Sequence, residues 1–111
     1  DHGSAFASWS FETTQPVSLE ALKEMVRREL PASVFRCKGI VYATEAPANR
    51  AILQVVGRRT DISFADAWDN AVPRTRIVAI GAPDALDAAG LRTLFERCLR
   101  TTGRDAGVDA G

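Results

Sequence analysis

Val34-Phe35-Arg36-Cys37-Lys38-Gly39-Ile40-Val41-Tyr42-Ala43 is, apart from two cations, an almost wholly apolar run rich in β-branched and aromatic residues. That composition marks a strand at the centre of a sheet. Strand side chains alternate between faces, so Phe35, Cys37, Gly39, Val41 and Ala43 are expected on one side, against packed helices. Val34, Arg36, Lys38, Ile40 and Tyr42 are expected on the other. Two neighbouring cations in the middle of a central strand are the least expected feature of the chain. Everything else is read outward from this strand.

On its N-terminal side, Leu19, Leu22, Met25, Val26 and Leu30 recur at helical spacing, interrupted only by Glu29 at the helix end. Ser18 is the expected N-cap, Glu20 sits in the first turn where the helix dipole favours an anion, and Pro31 ends the helix. Earlier still, Ala5 to Thr13 alternates, with Trp9 and Phe11 on one side and small polar groups opposite. This is the pattern of a half-buried strand at or near a sheet edge, stopped by Pro16.

On the C-terminal side, Glu45-Ala46-Pro47-Ala48-Asn49 reads as a hairpin loop, and Arg50 to Val56 as the returning strand. Gly57-Arg58-Arg59-Thr60 turns the chain into a short strand, Asp61 to Phe64. Ala65 to Pro73, with Trp68, reads as irregular. Thr75 to Gly81 is apolar on both sides beyond Arg76, which places it inside the sheet. Asp87 is the preferred cap of a second helix carrying Leu91, Leu94, Phe95, Cys98 and Leu99, with Gly103 as its stop.

The order of elements predicts an α+β fold: a two-layer sandwich of a four- or five-stranded, mainly antiparallel sheet with two helices on one face. Two helices cannot cover both sides of such a sheet. The side carrying Arg36, Lys38 and Tyr42 is therefore wet or covered by something outside these elements, and these three residues are the candidate interaction face.

Composition bounds the function. At 111 residues, 46% of them apolar and 25% charged, the chain is one globular domain with a single core. Its formal net charge is zero, so no whole-domain field recruits nucleic acid or anionic lipid. Twelve of the fourteen cations are Arg, a bias read as coding background rather than a nucleic-acid surface. No apolar run approaches the roughly 18 residues of a membrane span. Cys37 and Cys98 read as two reduced core thiols, in keeping with a cytoplasmic location.

No catalytic, cofactor-binding or metal-binding residues can be nominated. The Gly-x-x-x-x-Gly-Lys-Ser/Thr phosphate loop is missing, the single His2 lies near the start, and no nucleophile stands with a base and an orienting group. Asp61, Asp66 and Asp69 near Trp68 read as solvated loop acids. From residues alone the chain shows a fold but no reaction, and is not expected to be an enzyme.

Ser10-Phe11-Glu12…Pro16, the following helix, and Val34-Phe35-Arg36-Cys37-Lys38-Gly39-Ile40-Val41-Tyr42 with its Arg-x-Lys-Gly strand resemble the C-terminal domain of the CobW-type family, P-loop GTPases linked to metal chaperoning and cobalamin biosynthesis. Gln54-Val55-Val56-Gly57, Trp68, Ile77 to Gly81 and Leu91…Leu94…Cys98-Leu99 continue the resemblance. It implies that residues 1–111 are an accessory domain excised from a longer GTPase. Residues 1–5, with Asp1-His2, would be the end of an inter-domain linker or an expression remnant, and 103–111 a disordered tail. The nucleotide, Mg and transition-metal sites (Zn or Co) would lie in the preceding domain. The implied partners of the Arg36–Lys38 face are that GTPase domain or a client metalloprotein, with dimerisation through the same face as a further option. The alternative is a stand-alone small-ligand-binding or regulatory module, with a pocket near Trp9, Tyr42 and Trp68.

Overall fold

A computed structural model describes residues 5–99. It contains β1 (Ala7–Thr13), α1 (Leu19–Arg28), β2 (Val34–Ala43), β3 (Ala46–Val56), β4 (Arg59–Ala67), β5 (Thr75–Gly81) and α2 (Ala88–Glu96). The five strands form one sheet in the order β1-β5-β2-β3-β4, with every neighbouring pair antiparallel. The apolar run singled out in the sequence is thus the middle strand. β1 and β2 run in the same direction with β5 inserted between them, so α1 is the crossover that makes room for the last strand.

Both helices pack on one side. Leu19, Leu22, Met25 and Val26 of α1, with Leu91 and Phe95 of α2, close over Phe11, Cys37, Val41, Ala51, Leu53, Val55, Ile77 and Ala79 of the sheet. The two-layer α+β sandwich expected from the sequence is the observed architecture, with five strands. Val17 ties its layers together: it bridges to Ala43 at the end of β2 and to Leu99 beyond α2. The Ser18 amide also donates to the Cys98 carbonyl at 2.9 Å. This bridge explains why α2 stops at Glu96 instead of running through Leu99: the chain must leave the helix to reach Val17. The expected stop at Gly103 and the 103–111 tail lie outside the described residues.

The helix caps follow the sequence. Ser18 Oγ accepts from the Ala21 amide at 3.1 Å, and Asp87 Oδ1 from the Gly90 amide at 3.1 Å. The start of α1 has a second clamp that the sequence does not announce. Glu45, in the β2–β3 turn, accepts from the Leu19 amide at 2.8 Å, the Glu20 amide at 3.1 Å and the Thr44 hydroxyl at 3.0 Å. Partial burial opposes ionisation of Glu45, but the hydrogen bonds from these amides, its own amide and Thr44 prevail and hold its pKa below the usual value. Stability tied to that ionised form is in place above the unfolded carboxylate pKa of about 4.3 and is lost as pH falls through the lower folded value. Glu45→Ala is expected to cost about 1 kcal/mol at pH 7. Urea unfolding at pH 7 and pH 3 checks this, since the gap between variant and parent should narrow at the lower pH.

Three expectations need correction. The Thr44–Asn49 hairpin loop is a two-residue turn, because Ala43 pairs directly with Ala46 and β3 continues from there. β4 is not confined to 61–64. It runs from Arg59 to Ala67, its ladder to β3 extended past a register shift opposite Asn49/Ala51. As an edge strand it can be polar on its outer side, and that obscured its length.

The third correction concerns the central strand. Between Val34 and Arg36 the β2–β5 register shifts, which inserts Phe35 as a bulge residue and breaks the alternation. Val34, expected on the open side, is buried at 5% exposure, whereas Phe35, expected in the core, is 42% exposed. From Arg36 onward the alternation holds.

Candidate interaction face

The side of the sheet without helices is a lattice of three rows fixed by the strand register. Reading across β1-β5-β2-β3-β4, the first row is Glu12-Arg76-Ile40-Ile52-Ser63. The second is Ser10-Val78-Lys38-Gln54-Asp61. The third is Ser8-Ile80-Arg36-Val56-Arg59. Lys38 therefore lies between Val78 and Gln54, and Arg36 between Ile80 and Val56. Both cations are exposed, and among the described residues neither side chain makes an ion pair or a hydrogen bond.

Two acids share this face: Asp61 stands beyond Gln54 in the Lys38 row, and Glu12, at the far end of the first row, is committed elsewhere. Glu12 binds Arg74 at 2.8 Å and Arg76 at 3.4 Å on the β1–β5 side. Ile40 is 38% and Val56 54% exposed, and Ile52, Val78 and Ile80 are half-buried. A shallow depression of about 380 Å³ is framed by Lys38, Ile40, Ile52, Gln54, Arg76 and Val78. The arrangement is a partly exposed apolar field of Ile40, Ile52, Val56, Val78 and Ile80 that holds Arg36 and Lys38, with Arg76 and Arg59 also in its rows. Its apolar members were missed in the sequence because Ile52, Val78 and Ile80 join Lys38 only once the strand order is known.

Tyr42, the third expected member, behaves differently. It is half-buried, its ring meeting Trp68 edge-to-face at 6.1 Å. Trp68 in turn lies under the Arg50 guanidinium, 4.8 Å from its ring centroid, a cation–π contact that also orders the connection from β4 to β5. That connection caps the Tyr42 end of the face with the chain's own residues. Arg36 and Lys38 remain open.

The structure also separates the aromatics proposed to share a pocket. Trp9 packs on the helix side against Phe11 at 6.1 Å and Phe95 at 5.6 Å, under Arg92. Tyr42 and Trp68 meet each other, but they form no common pocket with Trp9.

Elsewhere the structure gives little reactive chemistry. Cys37 and Cys98 are free and buried. Burial pushes the Cys37 thiol up to about 12. Burial, with Glu29 nearby and only partly offset by Arg97, pushes the Cys98 thiol up to about 11. Neither is a nucleophile near neutral pH. Among the described residues no group of three or more His, Cys, Asp and Glu side chains is placed to hold a metal ion, and no helix is long and apolar enough to cross a membrane.

Two solved structures share the fold, both of the YjiA GTPase from E. coli in a Zn(II)-bound form, one of them a triple mutant. Each superposes with a TM-score of 0.73 at 22% identity, over 89% and 87% of this chain. The chain spans only 31% and 30% of the length of those proteins. No curated protein sequence matches it. The model of the cobalamin synthesis protein CobW C-terminal domain matches residues 6–99, nearly everything described, including all five strands and both helices. The chain belongs to the CobW C-terminal domain family.

Proposed function

We propose that this chain is the accessory C-terminal domain of a CobW-like GTPase, and that it docks through the helix-free side of its sheet, centred on Arg36 and Lys38. The observation that carries the reading is the pair of unpaired cations set among Ile40, Ile52, Val56, Val78 and Ile80. Leaving that much apolar surface in water forgoes about 25 cal/mol for each Å² that a partner would cover. The reading is supported by family membership and by the likeness to YjiA, a far longer protein whose structures are described as GTPase and Zn(II)-bound.

In this reading the N-terminal GTPase domain of the same polypeptide is the first partner, and a client metalloprotein is the second. GTP, Mg and a transition metal such as Zn or Co belong to the preceding domain. The protein works in the cytoplasm, in metal chaperoning or cobalamin biosynthesis.

The test is the double variant Arg36→Ala/Lys38→Ala in the full-length parent. Both side chains are exposed and unpaired among the described residues, so folding stability should change by no more than about 0.5 kcal/mol for each. Coupling between nucleotide turnover and metal transfer should weaken. GTP turnover and metal transfer unchanged from the parent protein would overturn the docking role. A sedimentation shift from dimer to monomer in the variant would instead identify a second copy of this domain as the partner.

A further inference from the structure

A cleft of about 560 Å³ opens at the C-terminal end of α1, bordering the Arg36–Val56 row through Phe35 and Gly57 but lined by none of the residues of the three rows. Val26, Leu30 and Phe35 supply its apolar walls, and Arg27, Arg28 and Arg58 line it from more exposed positions. Its size lies within the range of small-molecule sites, roughly 300–1,000 Å³.

Two independent features set it apart from an incidental groove. The first is the β2 bulge. Regular alternation would have buried Phe35, yet the inserted residue leaves its ring 42% exposed at the cleft. Phe6, itself 60% exposed, meets it edge-to-face at 6.4 Å. Bulges re-aim side chains, and they are over-represented beside functional sites. The second feature is charge. Arg27 and Arg28 share one carboxylate, Glu24, at 2.8 and 2.7 Å. Arg58 has no ion pair among the described residues, and Glu29, the other acid near the end of α1, is engaged by Arg97 at 2.8 Å. Three guanidinium groups therefore face the cleft with one acid between them.

We propose that this cleft binds a small organic anion with a flat apolar body, such as an aryl carboxylate, sulfonate or phosphate. The flat part lies along Phe35 and Leu30, where aromatic contact and burial favour it. The acid group meets Arg58 and Arg28, whose planar forks suit an oxyanion. The site adjoins the proposed docking face but shares no residue with it.

The experiment titrates the chain with 8-anilinonaphthalene-1-sulfonate, which has this shape and charge, and with neutral N-phenyl-1-naphthylamine as its uncharged counterpart. Saturable one-to-one binding of the sulfonate is expected, with amide shifts in a two-dimensional NMR spectrum centred on Phe35 and Gly57. Arg28→Gln/Arg58→Gln should weaken the sulfonate about tenfold and leave the neutral dye nearly unchanged. Phe35→Ala should weaken both, and Arg36→Ala/Lys38→Ala neither. The NMR map on the unaltered chain keeps the test valid should a variant fold poorly. Lack of saturable binding, shifts centred on the open sheet face, or sulfonate affinity indifferent to the arginine changes would each overturn the proposal.

Discussion

Gly39→Val is expected to abolish the cooperative fold of this domain or leave it barely stable, with a loss of about 3 kcal/mol or more. Gly39 is the glycine of the Arg-x-Lys-Gly segment, and its role is steric. A Cβ at this position would meet the carbonyl oxygen of Arg76 and lie only 2.6 Å from the Ile77 Cα. Both are backbone atoms of β5, which is held on its other side by β1 and cannot step away. No rotamer change relieves a clash with backbone. Gly39→Ala introduces the same first carbon and should cost about 1–3 kcal/mol, which keeps the effect measurable if the valine variant proves insoluble. Thermal unfolding followed by circular dichroism checks both. A Gly39→Val variant melting within a few degrees of the parent would show that β5 does not approach β2 this closely.

The same glycine sets the neighbours of Arg36 and Lys38, the residues proposed for docking. Lys38 and Ile40 flank Gly39 in the chain and sit opposite Val78 and Arg76 in the β2–β5 ladder. Close approach of β5 at Gly39 sets the register that brings Ile80, Val78 and Arg76 beside the two cations. The residue between the exposed side chains thus fixes which neighbours they have.

The parts of this fold that could be read from the chain are those in which a side chain reports its own environment. Ser18 and Asp87 are capping residues standing just before helical periodicity, and they cap. Leu22, Met25, Leu91 and Phe95 recur at helical spacing, and they are buried. Arg36 and Lys38 interrupt an apolar strand, and they are exposed. What could not be read depends on pairing between distant segments. The Phe35 bulge exists only relative to Gly81 and Ile80 of β5, so alternation along β2 alone put Val34 on the open side and Phe35 in the core, whereas Val34 is buried and Phe35 exposed. The length of β4 depends on its ladder to β3. Glu45 looks like a loop acid until the β2–β3 turn brings it to the start of α1. The open face follows the same rule: its cations and Ile40 were visible one residue at a time, whereas its other apolar members come from β3 and β5 and needed the strand order. Tyr42 shared the correct side of the strand with Arg36 and Lys38, but the contact that covers it comes from Trp68, beyond the end of β4.

Phe95→Ala is expected to cost about 3–5 kcal/mol, the range for removing a large buried aromatic ring, and to lower the melting temperature by about 15 °C or more. Phe95 is 1% exposed, stacks on Phe11 at 5.4 Å and meets the Trp9 ring at a tilt at 5.6 Å. It is therefore the principal contact of α2 with β1. Among the described residues β1 is an edge strand whose one ladder neighbour is β5, so loss of this ring should loosen one side of the sheet before the rest. Native-state hydrogen exchange would then show the amides of β1 and α2 opening at lower free energy, while β2 and β3 stay protected. The effect should reach the opposite side of the sheet. Glu12 of β1 holds Arg74 and Arg76, and if β1 frays, Arg76 gains freedom beside Ile40 and the apolar depression loses one wall. A Phe95→Ala variant that unfolded in a single step, with β1 and β3 exchanging alike, would show that the α2–β1 layer is not a separable unit. Early opening of β1 would mark β1 and α2 as one separable unit of the fold.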